Sequence, residues 1–109
     1  MRKEEQIRQN EFCEWAYEEA MKEYSRTLHY DDCKRLRTCT AWVYETENWY
    51  ILRSYGTFVA VIEKLTDTLY DVLRVTYGYT STSAQHIVKF SHDYGSGKWG
   101  VAHRLTARQ

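Results

Sequence analysis

Residues 40–63 read Thr40-Ala-Trp-Val-Tyr-Glu-Thr-Glu-Asn-Trp-Tyr-Ile-Leu-Arg-Ser-Tyr-Gly-Thr-Phe-Val-Ala-Val-Ile-Glu63, and this stretch decides the fold. Within it, Thr40 to Glu45, Trp49 to Ser54 and Thr57 to Glu63 alternate with a period of two. They are rich in Val, Ile, Thr, Trp and Tyr, which suit a pleated, half-buried surface. Glu45-Thr-Glu-Asn48 and Tyr55-Gly56 supply the turns. A fourth segment, Leu69 to Tyr77, follows a turn near Thr66-Asp67. Short connections make neighbouring strands antiparallel, so these segments predict a four-stranded meander with one face covered by helices.

Working outward, the segment before the sheet reads as one long helix from Arg2 to about Leu28. Cys13, Ala16, Tyr17, Ala20, Tyr24 and Leu28 recur at helical spacing and form its apolar face. Glu4, Arg8, Glu11, Glu18 and Lys22 fall on the other face. Trp15 lies among those charges. An aromatic there either touches another part of the fold or meets a partner. A short second helix is expected from Asp31 or Asp32 through Arg37, started by an Asp cap and ended by Lys34, Arg35 and Arg37.

After the sheet, Gly78-Tyr-Thr-Ser-Thr-Ser-Ala-Gln85 leads into a helix over about 83–94. Thr82-Ser-Ala-Gln85 matches a capping box, and Gly95 stands where a left-handed C-terminal cap is expected. A helix start rich in hydroxyls can also hold an anion, but no phosphate-cradling glycine pattern accompanies it. Gly95-Ser-Gly97 then permits a tight return, and Lys98 to Leu105 predicts a fifth strand. The expected layout is a single α+β domain over 1–109, with a helical segment over 1–37 and sheet plus helix over 38–109.

Composition narrows the function classes. The chain has 109 residues, enough for one core. No apolar run reaches the roughly 18–20 residues of a membrane span, and residues 1–12 carry charges rather than a signal segment. Both features place the protein in the cytosol. Cys13, Cys33 and Cys39 lack paired metal-ligand spacing, so free thiols and no cofactor are expected. Formal net charge is zero. Residues 1–23 hold seven acids against four bases (−3), and residues 72–109 hold five bases against one acid (+4). Nucleic acid is therefore a weaker expectation than protein, although Lys34, Arg35, Arg37, Lys89, Lys98 and Arg104 would serve phosphates in that case.

His86 with Ser81 or Ser83, and Asp93 farther along the same helix, are the residues an enzyme reading would use. Neither a G-x-S-x-G elbow nor an H-E-x-x-H pattern accompanies them, so no enzymatic activity is expected. With ten tyrosines, four tryptophans and no proline, the chain is better supplied with interface anchors than with catalytic groups. Phe12 and Trp15 on the first helix, Trp49 and Tyr50 on the sheet, and the basic cluster Lys34, Arg35 and Arg37 are the candidate partner-binding residues. A homodimer through the first helix or a sheet edge is a further expectation.

One resemblance bears on function. Ser54-Tyr-Gly-Thr-Phe-Val-Ala60, then Tyr79-Thr-Ser-Thr-Ser83 and His86-Ile-Val-Lys-Phe90, resembles a family of short phage-borne proteins of unknown function with an SYxTxVA stretch, a Ser/Thr-rich turn and an HIxxF helix. It covers residues 54–90 and brings no catalytic residue. By analogy it implies a phage or mobile-element protein of the host cytoplasm that occupies a host defence protein. An anti-CRISPR protein acting on a type II Cas nuclease is the leading example.

Overall fold

The computed structural model describes residues 2–109. Its element order is α1 (Lys3–Thr27), β1 (Lys34–Arg35), β2 (Ala41–Glu45), β3 (Trp49–Ser54), β4 (Thr57–Glu63), β5 (Thr68–Asp71), α2 (Leu73–Thr76), α3 (Ser81–Tyr94) and β6 (His103–Thr106). The architecture is α+β, with the expected meander running from β2 to β5. The sheet extends to six strands in the order β1-β2-β3-β4-β5-β6. β1 adds antiparallel to β2, and β6 adds parallel to β5 after the crossover through α2 and α3.

Helices cover both faces of the sheet, which corrects the expectation of one covered face, because the crossover to the parallel β6 carries α3 onto the face opposite α1. Cys13, Ala16 and Ala20 of α1 pack on Tyr44, Trp49, Ile51, Val61 and Tyr70. Ile87 and Phe90 of α3 pack on Val43, Leu52, Ala60, Ile62 and Leu69. Successive residues of β3 thus enter different cores, Ile51 under α1 and Leu52 under α3. Three-layer burial makes the central strands apolar on both sides, which blunts their alternation.

Four local expectations need correction. The segment 31–37 forms no helix. It is too short and too charged for an apolar stripe, and nucleating a helix without tertiary packing is costly. Instead the His29 N–H donates to the Asp32 carboxylate (2.8 Å), Lys34 and Arg35 pair with β2, and Arg37 turns the chain at φ 52°.

The strand starting near Leu69 stops at Asp71 rather than running to Tyr77. The buried Asp71 carboxylate accepts the Leu73 N–H at 3.0 Å and turns the chain into α2.

The third correction concerns the start of α3, which is capped by Thr80 rather than Thr82. The Thr80 hydroxyl accepts the Ser83 N–H at 3.2 Å. Both threonines suit a cap, and Thr80 is the one with the extended backbone of a cap position (φ −133°, ψ 144°).

Finally, Gly95 is extended (φ −70°, ψ 152°) rather than left-handed. Glycine is needed there because a Cβ would fall on the Gly100 carbonyl carbon and the Val101 nitrogen of the following hairpin.

The last strand is anchored by side chains of α1. Gln6 Nε2 donates to the Thr106 carbonyl at 3.0 Å, and the Thr106 N–H donates to Gln9 Oε1 at 3.3 Å. Asn10 forms a reciprocal pair with Arg108, giving to its carbonyl (2.7 Å) and accepting its N–H (3.0 Å). These amides satisfy an edge that would otherwise be open to pairing with another chain.

Candidate functional site

The outer face of α1 carries the most exposed adjacent aromatic pair among the candidates. Phe12 is 54% exposed and Trp15 is 45% exposed, in a shallow depression they share with Arg8 and Glu11. Trp15 answers to both of its sequence readings. Its ring meets Trp49 edge-on (5.9 Å between centroids) and Tyr70 (6.4 Å), while the rest faces solvent. Those contacts fix the indole orientation, so less side-chain entropy remains to be lost on binding.

The other candidates are largely committed inside the fold. Trp49 is buried at 3% exposure and serves as the platform beneath Trp15. Tyr50 is half-buried against Tyr94 (5.0 Å) with the Lys64 ammonium 4.7 Å from its ring.

The basic cluster is similarly engaged. Arg35 donates to the Cys39 carbonyl at 2.8 Å and to that of Thr38 at 3.3 Å. Arg37 grips Asp93 with both Nε (2.8 Å) and Nη2 (2.7 Å), and these bonds hold the Asp93 carboxyl below its ordinary range. Lys34 alone of the three is exposed with no side-chain hydrogen bond or ion pair among the described residues. The structure therefore does not gather the seven candidates into one patch. Phe12 and Trp15 stand together, Trp49 lies under them, and the rest belong to other surfaces.

Of the hydroxyl-rich stretch only Ser83 joins a buried polar cluster, while Ser81 and Thr82 are exposed. Ser54 Oγ lies 2.9 Å from Ser83 Oγ and 2.8 Å from His86 Nδ1, with all three residues buried. Burial, and then the neighbouring Lys89 charge, lowers the His86 pKa, so the ring is neutral near pH 7. Asp93 is spent on Arg37. The cluster ties α3 to the end of β3, and a substrate would have no path to a serine hydroxyl that is 1–2% exposed.

Sequence reading missed the site of Arg53. This arginine is 7% exposed, stacked between Tyr30 (4.1 Å) and Trp42 (4.4 Å). It donates to Tyr44 Oη at 3.0 Å and to the Tyr55 carbonyl at 2.8 Å. The available signal was an arginine following Ile51-Leu52 in a core strand, because a buried guanidinium needs its donors met.

Among the described residues, no group of three His, Cys, Asp or Glu side chains could hold a metal ion, and no helix is long and apolar enough to cross a membrane. Comparison with known protein families, curated proteins and solved structures gives no match.

Proposed function

We propose that this chain is a non-catalytic protein-binding domain whose contact surface is the outer face of α1, centred on Phe12 and Trp15. The observation that carries the reading is the exposure of these two rings beside each other, on a helix whose opposite face is fully used by the core. A pair of large aromatics with polar rim residues is the composition of an interface centre. The sealing of Ser54, Ser83 and His86 supports binding over chemistry. The engagement of Arg35, Arg37 and Arg104 in internal bonds favours a protein over nucleic acid.

The resemblance to short phage-borne proteins supplies the finer part of the proposal. The partner is a host defence protein met in the host cytoplasm, with a type II Cas nuclease as the leading candidate. Capture from host lysate at about 0.3 M salt, where loose electrostatic association is screened, tests it.

Recovery of one host protein in near-stoichiometric amount is expected. Phe12→Ala should weaken that complex by about 2 kcal/mol if the ring is an interface anchor. Phe12 makes no aromatic contact inside the fold among the described residues and is 54% exposed, so its loss should disturb the fold less than that of Trp15. Trp15→Ala should weaken binding and stability together. Unchanged affinity in both variants would remove the α1 face from consideration. Recovery of only DNA or RNA at low salt would favour the nucleic-acid reading.

A further inference from the structure

We infer that the outer face of α1 pairs with the same face of a second copy of this chain, the two helices running antiparallel about a two-fold axis between Phe12 and Trp15. The inference rests on the reading of that face as a contact surface, and it names the occupant in the free protein. Glu5, Arg8, Phe12, Trp15, Glu19 and Lys22 are spaced three and four residues apart in alternation, the spacing of facing positions in a two-helix pair, with the two aromatics at the centre and charges on either side. All but the half-buried Glu19 are exposed. The buried residues Cys13, Ala16 and Ala20 lie on a different face, and Trp15 stays 45% exposed although its ring also touches Trp49 and Tyr70.

The order of charges selects both partner and direction. Antiparallel pairing about the Phe12–Trp15 midpoint sets Phe12 against Trp15, Arg8 against Glu19 and Glu5 against Lys22, and symmetry makes each layer twice. Every charged layer is complementary. Parallel pairing would set Arg8 on Arg8, Glu19 on Glu19 and Lys22 on Lys22, and is disfavoured by like charges. Within one chain Glu5 and Arg8 have no ion-pair partner among the described residues, and Glu19 meets Lys22 only at 3.4 Å on the surface. The fit is isologous, as a closed dimer requires. A single helix pair about 37 Å long buries a small interface, so the dimer is reversible and concentration-dependent. A host partner using Phe12 and Trp15 then competes with self-pairing.

The test is sedimentation equilibrium of the full chain from about 1 μM to about 0.5 mM, for wild type, Arg8→Glu, Glu19→Arg, their equimolar mixture and the double variant. Wild type should move from one to two chain masses. Each single variant should dissociate at least about tenfold more readily, because two layers become like-charged. The mixture and the double variant should both recover the dimer, since each restores opposite charges in those layers. These residues are outside the core, so circular dichroism should report an unchanged fold. A wild type that stays monomeric throughout, single variants that dimerise as wild type does, or a mixture that fails to recover would each overturn the inference. A monomeric wild type that captures a host protein, and loses it on Phe12→Ala, would leave the contact-surface reading standing while overturning self-pairing. A dimer that behaves as described but captures nothing would uphold the pairing and remove only the host-partner reading.

Discussion

His86 is joined through Nδ1 to Ser54 Oγ at 2.8 Å, and burial followed by the Lys89 charge lowers its pKa. The consequence for stability has a definite sign. Above the unfolded value of about 6.5 the ring is neutral in both states. As pH falls below that value the unfolded chain takes up a proton that the folded chain resists, so stability falls until the folded pKa is reached. Asp93 is held down by Arg37, so its contribution is lost as pH falls from the ordinary carboxylate value of about 3.9 toward the lower folded value, which lies largely below the histidine limb. Denaturant unfolding at pH 8, 7, 6 and 5, pH values of order one unit apart across that window, should show wild type losing stability below about 6.5. His86→Asn should lack that limb.

Cys13 makes a second residue-scale prediction. Burial, and then the Asp71 charge, pushes its thiol up to about 12, while Cys33 and Cys39 are only half-buried. A thiol-alkylating probe should label Cys33 and Cys39 in the native protein and reach Cys13 only on unfolding.

Elements are held here by side chains that borrow backbone partners from elsewhere. Asn10 replaces a missing neighbour strand for Arg108, so Asn10→Ala should cost about 1 kcal/mol. It should also speed amide exchange in β6 ahead of the rest of the sheet, and uniform exchange would show that the strand needs no such anchor. Gly95 illustrates a different constraint. Its backbone would tolerate alanine, but the Gly97–Gly100 hairpin lies against it. Gly95→Ala should therefore lower the melting temperature by displacing that hairpin from the end of α3. A variant that melts like wild type would mean that the hairpin shifts at no cost.

At the scale of the whole molecule, the sheet separates two cores, and neighbouring residues of one strand belong to different layers. Ile51 and Leu52 are both fully buried. Truncating either to alanine should cost about 2–5 kcal/mol, a large part of the 5–15 kcal/mol typical of a domain. The location of the damage should differ. Ile51→Ala should raise exchange first in α1, and Leu52→Ala first in α3. Identical exchange patterns would mean that the two layers unfold as one unit. The asymmetry also bears on binding, because α1 presents its outer face only while its inner face is packed.

The sequence by itself determined the long first helix, the meander that begins near Thr40 and a helix near 83–94, because periodicity and turn residues act within a few positions of one another, whereas the end of the last meander strand and the caps of that helix were decided only in the folded structure. It also singled out Phe12 and Trp15, since aromatics on a charged face stand out without knowledge of any neighbour. Only the tertiary structure decided that Trp49 lies beneath Trp15, that Arg37 spends its charge on Asp93 and that His86 closes on Ser54 and Ser83. It likewise decided that Lys34 and Arg35 form an edge strand and that β6 joins β5 in parallel. These outcomes depend on pairs far apart in the chain, such as Arg37 with Asp93 and Gln6 with Thr106. Such pairs leave no local period, and the energy that selects them exists only once both layers have closed on the sheet.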